Sequence, residues 1–399
     1  MTTEITLKVK KKYEKQYKNG YPLLLKTAIE NLDCMDEEGT IVKLVDGRNS
    51  FIGKGYLGKQ NKGNGWILTS KENEKIDEAF FVKKISAAIQ KRKNFYDSKE
   101  TNAFRVFNGE GDGIGGVTID AFDGYYLINW YSEGIYKFKP MIIDALEKCV
   151  PHYKGIYQKK RFAPAGKYVE EDDFVKGERG EFPLIVKENG VNMAIYLNES
   201  AMVGVFLDQR EVRKTIKDRY AKGKNMLNTF SYTGMFSVFA TLGGANKTTS
   251  VDLANRSKGK TIEQFAINGI DFEAQDIIVE DVFHYFKYAA RKQLTFDLVI
   301  LDPPSFARSK KHTFSANKDY KDLLKETIAI TEKNGVIVAS TNCSTFDIKK
   351  FKGFIDTAFK ESNGKYKLLE EFSLPQDFQT TPSFKEGNYL KVVFIQKLN

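Results

Sequence analysis

The sequence predicts an α/β, Rossmann-like C-terminal domain behind a small β-rich module and a middle α+β segment. Three observations predict it. Residues 225–257 (NMLNTFSYTGMFSVFATLGGANKTTSVDLANRS) read as a strand, a Gly-bearing turn, a helix and a second strand ending in an acid, Asp252. Residues 296–301 (FDLVIL) read as a nearly apolar strand, buried on both faces, that opens into Asp302-Pro303-Pro304. Short β-branched runs separated by turn residues fill positions 1–72.

At 399 residues the chain has room for two or three domains, and 41% hydrophobic residues suffice for real cores. The net charge of +10 suits a partner that is a polyanion, with simple lysine enrichment as the plainer reading. Three cysteines (Cys34, Cys149 and Cys343) are too few and too scattered for a disulfide framework. No CxxC or His pair suggests zinc, so no metal is expected. The start, MTTEITLKVKKKYEK, is charged and lacks the apolar core of a secretory signal. No run is long enough to span a bilayer, which leaves the cytoplasm as the default.

Taken in order, strands are expected at 6–9, 39–45, 51–57 and 66–69, with a basic edge in KVKKKYEKQYK that a solvated face would equally explain. Residues 73–97 place Ile76, Phe80, Phe81, Ile85, Ala88 and Ile89 on one helical stripe. Residues 101–132 read as paired strands. Their GEGDGIGG lacks the Lys-Ser/Thr of a P-loop and the ligand spacing of an EF-hand, so a hairpin turn is expected there. A helix at 137–150 and a strand at 155–160 complete a strand-strand-helix-strand-strand segment ending near 183. Strands within 185–196 lead to VGVFLDQREVRKTI.

In the 225–257 unit the turn lets a ligand approach the backbone, and Asp252 can accept hydrogen bonds from ribose hydroxyls. Only Gly234 of a G-x-G-x-x-G pattern is present, which disfavours a pyrophosphate. A ribose-bearing ligand such as S-adenosylmethionine (SAM) fits better; an ordinary βαβ unit with an incidental Asp is the plainer reading. A helix at 255–268, a strand at 277–279 ending at Glu280-Asp281 and a helix at 320–331 follow. A fifth strand at 335–340 ends in STNCST, and SFKEGNYLKVVFIQ closes the sheet. Phe283 and Phe286 read as core residues.

NTFSYTGMFSVFATLGGA, SVDLANRS and FDLVILDPPSFARSK together closely resemble class I SAM-dependent methyltransferases of ribosomal RNA. The similarity is nearest to the ribosomal RNA large subunit methyltransferase I family, cytosine-5 enzymes with an N-terminal PUA domain, and it covers nearly the whole chain. It implies a PUA-like RNA-binding barrel at 1–72, a middle domain at 73–183 that helps shape the RNA groove, and a class I methyltransferase domain at 184–399. It implies SAM as cofactor, with Gln209 and Arg210 towards the methionine end, where an Arg fork suits a carboxylate. The turn Phe230, Ser231, Tyr232, Thr233 and Gly234, then Asp252 and Leu253, would hold the nucleoside. Asp281 and Val282 would meet the adenine, with Glu280 as a rival acid, and Asp302, Pro303 and Pro304 would close the pocket.

Cys343 matches the family's catalytic cysteine, and Asp302 would hydrogen-bond the N3–N4 edge of the cytosine. Ser305, Phe306, Arg308, Lys310 and Lys311 would meet RNA, the basic residues steering its phosphates. The chain departs from the family pattern in NKGNGWILT, where an Arg-rich strand is usual, and in Met202-Val203, where Lys-Thr is usual. It also carries Ser305 where many RNA cytosine-5 enzymes have a second cysteine. The expected partner is large-subunit ribosomal RNA, with no membrane and a homodimer as the assembly carried forward. Two other readings stay open: a guanine (N2 or N7) ribosomal RNA methyltransferase that needs no thiol, and a non-catalytic RNA-binding assembly factor.

Overall fold

β1 (Ile5–Lys8), β2 (Ile41–Val45), β3 (Phe51–Gln60) and β4 (Gly63–Thr69) form one four-stranded sheet in that order, β1 parallel to β2 and the others antiparallel. The computed structural model describes residues 4–30, 37–60, 63–162, 173–199, 202–308 and 313–399. Helix α1 (Lys11–Lys18) turns Tyr17 inward, where its hydroxyl donates to the Leu23 carbonyl and accepts from the Leu25 amide. Lys11, Lys12, Lys15 and Lys18 of the same helix stay exposed, which gives this module the basic edge expected of it.

The middle segment opens with α2 (Glu78–Lys91), capped by the Asp77 carboxylate on the Phe80 amide, and α3 (Lys93–Tyr96). The stripe expected from the sequence is the one that packs: Phe80, Phe81, Ile85 and Ala88 are buried. β5 (Ala103–Asn108), β6 (Val117–Phe122) and β7 (Tyr125–Trp130) precede α4 (Glu133–Tyr136) and α5 (Lys139–Cys149). β8 (Gly155–Lys160) then joins parallel to β7, and β9 (Phe174–Gly177) closes a five-stranded sheet in chain order. The sequence reading had one strand fewer. Asp123 and Gly124 (φ +50° and +85°) fold residues 117–130 into a hairpin.

GEGDGIGG does more than turn the chain. A Cβ on Gly115 would lie 2.1 Å from the Trp66 indole, so the segment is a close-packed junction between the first sheet and the second. The Tyr56 hydroxyl donates to the Gly115 carbonyl at the same place.

β10 (Leu184–Glu188) and β11 (Val191–Ile195) pair with each other and lead to α6 (Arg210–Thr215). Alternation then follows: β12 (Asn225–Thr229), α7 (Met235–Leu242), β13 (Lys247–Asp252), α8 (Asn255–Ala266), β14 (Asp276–Val279), α9 (Val282–Arg291) and β15 (Phe296–Leu301). A short hairpin, β16 (Phe306–Arg308) with β17 (Thr313–Ser315), precedes α10 (Ala316–Ala329) and β18 (Thr331–Thr341). α11 (Ile348–Glu361), β19 (Tyr366–Phe372) and β20 (Lys391–Lys397) end the chain.

The seven-stranded sheet runs β14–β13–β12–β15–β18–β20–β19, parallel through β18, with β20 antiparallel to both its neighbours. Successive strand residues serve opposite faces. Leu227, Val299, Leu301 and Ile337 pack in one core with α9, α10 and α11. Met226, Leu298, Ile300 and Val338 pack in the other with α6 and α7. Strand order reverses between β12 and β15, and the crevice at the carboxyl ends of such strands is where open α/β sheets bind ligands.

The chain divides into two compact units. One is Met1–Val186, Ile195–Val203 and Gln376–Gly387; the other is Lys187–Ala194, Gly204–Pro375 and Asn388–Asn399. Residues 376–387, which the 184–399 methyltransferase bounds include, cluster with the first unit. There the Asp377 carbonyl accepts two hydrogen bonds from the buried Arg92 guanidinium (2.9 and 2.6 Å), and its carboxylate accepts the Arg105 amide (2.8 Å). Phe384 packs against Tyr21 and Trp66. Among the described residues no helix is long and apolar enough to cross a membrane.

Candidate active site

A cleft of about 360 Å³ opens at the strand-order reversal, within the size range of small-molecule sites. Its floor is the turn after β12. Phe230, Tyr232 and Gly234 all have left-handed backbone (φ +52°, +52° and +76°). Holding two non-glycine residues there costs roughly 1–3 kcal/mol each. The Tyr232 amide offsets part of this by donating to the Asp252 carboxylate (2.8 Å). Gly234 is fixed twice over: its φ suits glycine, and a Cβ would come 2.5 Å from the Thr261 methyl of α8.

Asp252 ends β13 at the cleft wall. Besides Tyr232, it accepts the Ala254 amide (2.9 Å), so its orientation is set while lone pairs remain for an incoming hydroxyl. Asp281 also lines the cleft, but one of its oxygens caps α9 on the Phe283 and His284 amides (2.9 and 3.3 Å). The rival Glu280 is not on the wall; it accepts the Asp281 amide and faces His284. Phe283 was expected in the core. It lies only partly buried on the cleft wall, edge-on to Phe230, whereas Phe286 is core as expected.

At the opposite end Gln209 is buried (4% exposed) and its Nε2 donates to Asp302 Oδ2 (3.2 Å) and Ser340 Oγ (2.9 Å). Among the described residues its Oε1 has no hydrogen-bond partner, which leaves an acceptor open at the cleft. Arg210 does not line the cleft; it is turned into the protein near Glu188 (3.8 Å). Arg213 lines it instead, gripping Glu188 through Nε and Nη2 (2.7 and 2.8 Å) and the Phe206 carbonyl (2.9 Å). The two differ by helix phase: Arg213 lies four residues after Gln209 and shares its face. That spacing in FLDQREVR was readable and was missed. Phe206, Asp208, Asn342 and Leu390 also line the cleft without having been singled out, Leu390 arriving from the far end of the sequence.

Asp302, Pro303 and Pro304 leave β15 into the cleft. Burial pushes the Asp302 carboxyl up to about 6; the Ser340 hydroxyl opposes this, the Asp208 charge adds to it, and Arg213 and Gln209 oppose it again. The folded carboxyl thus holds its proton more tightly than the unfolded chain's, whose value lies near 4. Stability from this group is complete below about pH 4 and is lost as the pH rises through about 6. The gap is worth about 3 kcal/mol at most, and partial exposure trims it to about 1–2 kcal/mol. Asp302→Asn is therefore expected to raise the thermal midpoint at pH 8 by about 2–5 °C, with the difference closing near pH 4. Scanning calorimetry at both pH values checks this; equal midpoints at pH 8 would contradict it.

Ser305 follows, its hydroxyl bonded to the Asn342 carboxamide. Phe306 is exposed (62%). Of Arg308 only the backbone in β16 is described, and Lys310 and Lys311 lie outside the described residues. Val282, Leu253, Ser231 and Thr233 all line the cleft.

Cys343 sits in the turn that leaves β18. It is 7% exposed and is not itself a lining residue, though the adjoining Asn342 is. Its amide donates to Thr341 Oγ1 (3.2 Å) and its sulfur meets Thr345 Oγ1 (3.1 Å). Phe346 and Phe351 belong to the same apolar cluster.

Comparison with known proteins gives this arrangement a family. Residues 154–383 match the S-adenosylmethionine-dependent methyltransferase profile, and residues 7–70 match a PUA-like domain. YwbD of Bacillus subtilis (strain 168), provisionally named a ribosomal RNA large subunit methyltransferase, is 62% identical over 98% of this chain and 99% of its own. Ribosomal RNA large subunit methyltransferase I of Alteromonas mediterranea is 30% identical over 95% of each chain. The crystal structure of SMU.776, a provisionally assigned methyltransferase complexed with SAH, superposes with a TM-score of 0.90 at 38% identity, covering 98% of this chain and 99% of that one.

The cleft suits SAM on its own chemistry. It offers a fixed carboxylate for ribose hydroxyls, aromatic walls for a purine, and the unpartnered Gln209 acceptor for an ammonium group. The fold, the cleft and these relatives agree: the chain belongs to the ribosomal RNA large subunit methyltransferase I family of SAM-dependent methyltransferases.

Proposed function

We propose that this protein methylates carbon 5 of a cytidine in large-subunit ribosomal RNA, with Cys343 as covalent nucleophile and Asp302 on the base edge. One observation carries the reading. A cysteine stands in the turn after β18, next to cleft-lining Asn342, on the sheet edge that also presents Asp302. Carbon 5 of cytosine is too weak a nucleophile to take a methyl group unaided. Bound SAM supplies the electrophilic methyl. The Cys343 thiolate adds to carbon 6, forming a C–S bond and moving the ring's 5,6 electron pair onto carbon 5, which attacks that methyl. Loss of the carbon-5 proton to a base then restores the double bond and expels the thiolate. Asp302, held by Gln209 and raised towards neutrality, can donate a hydrogen bond to the N3–N4 side in its protonated form.

Gln209, Asp252, Asp281 and the 230–234 turn are assigned to the cofactor, with Arg213 in place of Arg210 beside its methionine end. Ser305 and Phe306 are assigned to the RNA base. We assign residues 1–72 to RNA binding, 73–183 to the wall of the RNA groove and 184–399 to catalysis, all in the cytoplasm with the ribosomal RNA. Mass spectrometry of ribosomal RNA nucleosides with and without the protein tests the reading: appearance of 5-methylcytidine supports it, and a methylated guanine in its place ends it. One observation favours that guanine alternative: Cys343 is mostly buried, whereas Phe306 after Asp-Pro-Pro-Ser is exposed.

The exposed lysines of α1 and the net charge of +10 make affinity for RNA salt-sensitive. Binding is expected to weaken at least about tenfold between about 50 and about 200 mM salt. Filter binding or fluorescence anisotropy reads this directly, and a flat dependence would remove the lysine-lined groove.

A further inference from the structure

Glu188 ends β10 and is completely buried (0% exposed). Its carboxylate takes both Nε and Nη2 of Arg213 (2.7 and 2.8 Å), a residue that is itself 2% exposed and lines the cleft. A two-bond grip of this kind fixes the plane of the guanidinium as well as its place. Nη2 also donates to the Phe206 carbonyl (2.9 Å), and the centres of the Phe236 and Phe239 rings lie 5.9 and 5.8 Å from the guanidinium carbon. Among the described residues no hydrogen bond uses Nη1. That corner of the fork is left for a ligand at the wall. Arg210, whose Nε is 3.8 Å from the same carboxylate, does not line the cleft, and neither does Glu188.

A buried ion pair is a poor way to gain stability. Taking both charges out of water costs about what their attraction returns, and apolar side chains of the same volume often serve as well. The surroundings nonetheless hold Glu188 firmly. The turn after it, Asn189-Gly190, is left-handed at both residues (φ +49° and +77°), as a tight two-residue hairpin requires. The Asn189 carbonyl accepts from Lys217 (3.3 Å). The Asn192 amide donates to the Asn268 side chain, which donates back to the Asn192 carbonyl (3.0 and 2.9 Å). The Gln264 carboxamide serves the Ala194 amide and carbonyl in the same way (2.9 and 3.0 Å). A hairpin outside the seven-stranded sheet is thus pinned by side chains to α8 and to the turn after α6, and it delivers one carboxylate behind the cleft wall.

Resting on the assignment of Arg213 to the methionine end of the cofactor, we propose that Glu188 is a positioning residue, which aims the Arg213 fork so that Nη1 meets the cofactor's carboxylate. Glu188 does not touch the cofactor. It acts beforehand: a long arginine side chain loses rotamer freedom when it grips an anion, and the pair with Glu188 has already taken that loss. Without Glu188 the guanidinium keeps the Phe206 carbonyl and two rings as neighbours, and nothing holds Nη1 at the wall.

The test compares two ligands by isothermal titration on the full chain. SAH carries the amino-acid part; 5′-methylthioadenosine carries the same nucleoside and sulfur without it. Glu188→Gln loses the two-oxygen grip. It is expected to weaken SAH about tenfold and to leave methylthioadenosine within about twofold of wild type. Glu188→Asp, which keeps the charge on a shorter arm, is expected to fall between them for SAH, and it carries the comparison alone should Glu188→Gln not fold. An unchanged affinity for SAH overturns the proposal. So does equal weakening of both ligands, which would make Glu188 part of the fold only. Arg213→Met separates the underlying assignment. If it binds SAH as the wild type does, Arg213 does not hold the methionine end. If it loses SAH selectively while the Glu188 variants do not, only the role of Glu188 falls.

Discussion

Cys343→Ala is expected to lower methyl transfer to ribosomal RNA by at least about a thousandfold, because removing a covalent nucleophile removes the route and not merely a contact. The substitution is a clean probe. The side chain is small, sits in an apolar cluster and, among the described residues, meets Thr345, so its loss costs the fold about 1 kcal/mol. SAM binding should survive, since no cleft-lining atom is removed. The measurement is 5-methylcytidine in ribosomal RNA by mass spectrometry, with binding of SAM by the same protein as the folding control. Methylation at the wild-type level would eliminate the covalent route.

Asp252→Ala is expected to weaken SAM about 10–100-fold by isothermal titration, the range for losing one or two hydrogen bonds to a charged acceptor. Two effects combine. The ribose hydroxyls lose their partner. The Tyr232 and Ala254 amides lose theirs too, and the left-handed turn at 230–234 loses the bond that offsets its strain. Asp252→Asn keeps one acceptor oxygen and should fall between the two. An unchanged dissociation constant for Asp252→Ala would reject the assignment.

Much of this site was readable because it is local. Residues 225–257 carry strand, turn, helix and acid in one unbroken run, and FDLVIL shows a strand buried on both faces by composition alone. What stayed hidden depends on phase or on distance along the chain. Arg213 and not Arg210 lines the cleft because helix phase decides which side chain faces inward, and two arginines three residues apart look alike in a string. Phe283 reads as core by its apolarity; only the position of Phe230 turns it to the wall. Leu390 adjoins the final strand, and no pattern near it announces that β20 inserts antiparallel beside the strand that leads to Cys343. The hairpin at 123–124 was readable as Asp-Gly within the run of paired strands.

Residues 376–387 carry a consequence for how this chain is made. They are part of the first compact unit, yet they are synthesised after nearly all of the second. Until they emerge, the Arg92 guanidinium lacks the Asp377 carbonyl, and the Tyr21 and Trp66 rings lack Phe384. Vectorial, domain-by-domain maturation from the amino end is therefore closed to this protein. Its first-synthesised part must wait, incomplete, for these later residues, and a cut near residue 184 would leave the first unit divided between two fragments.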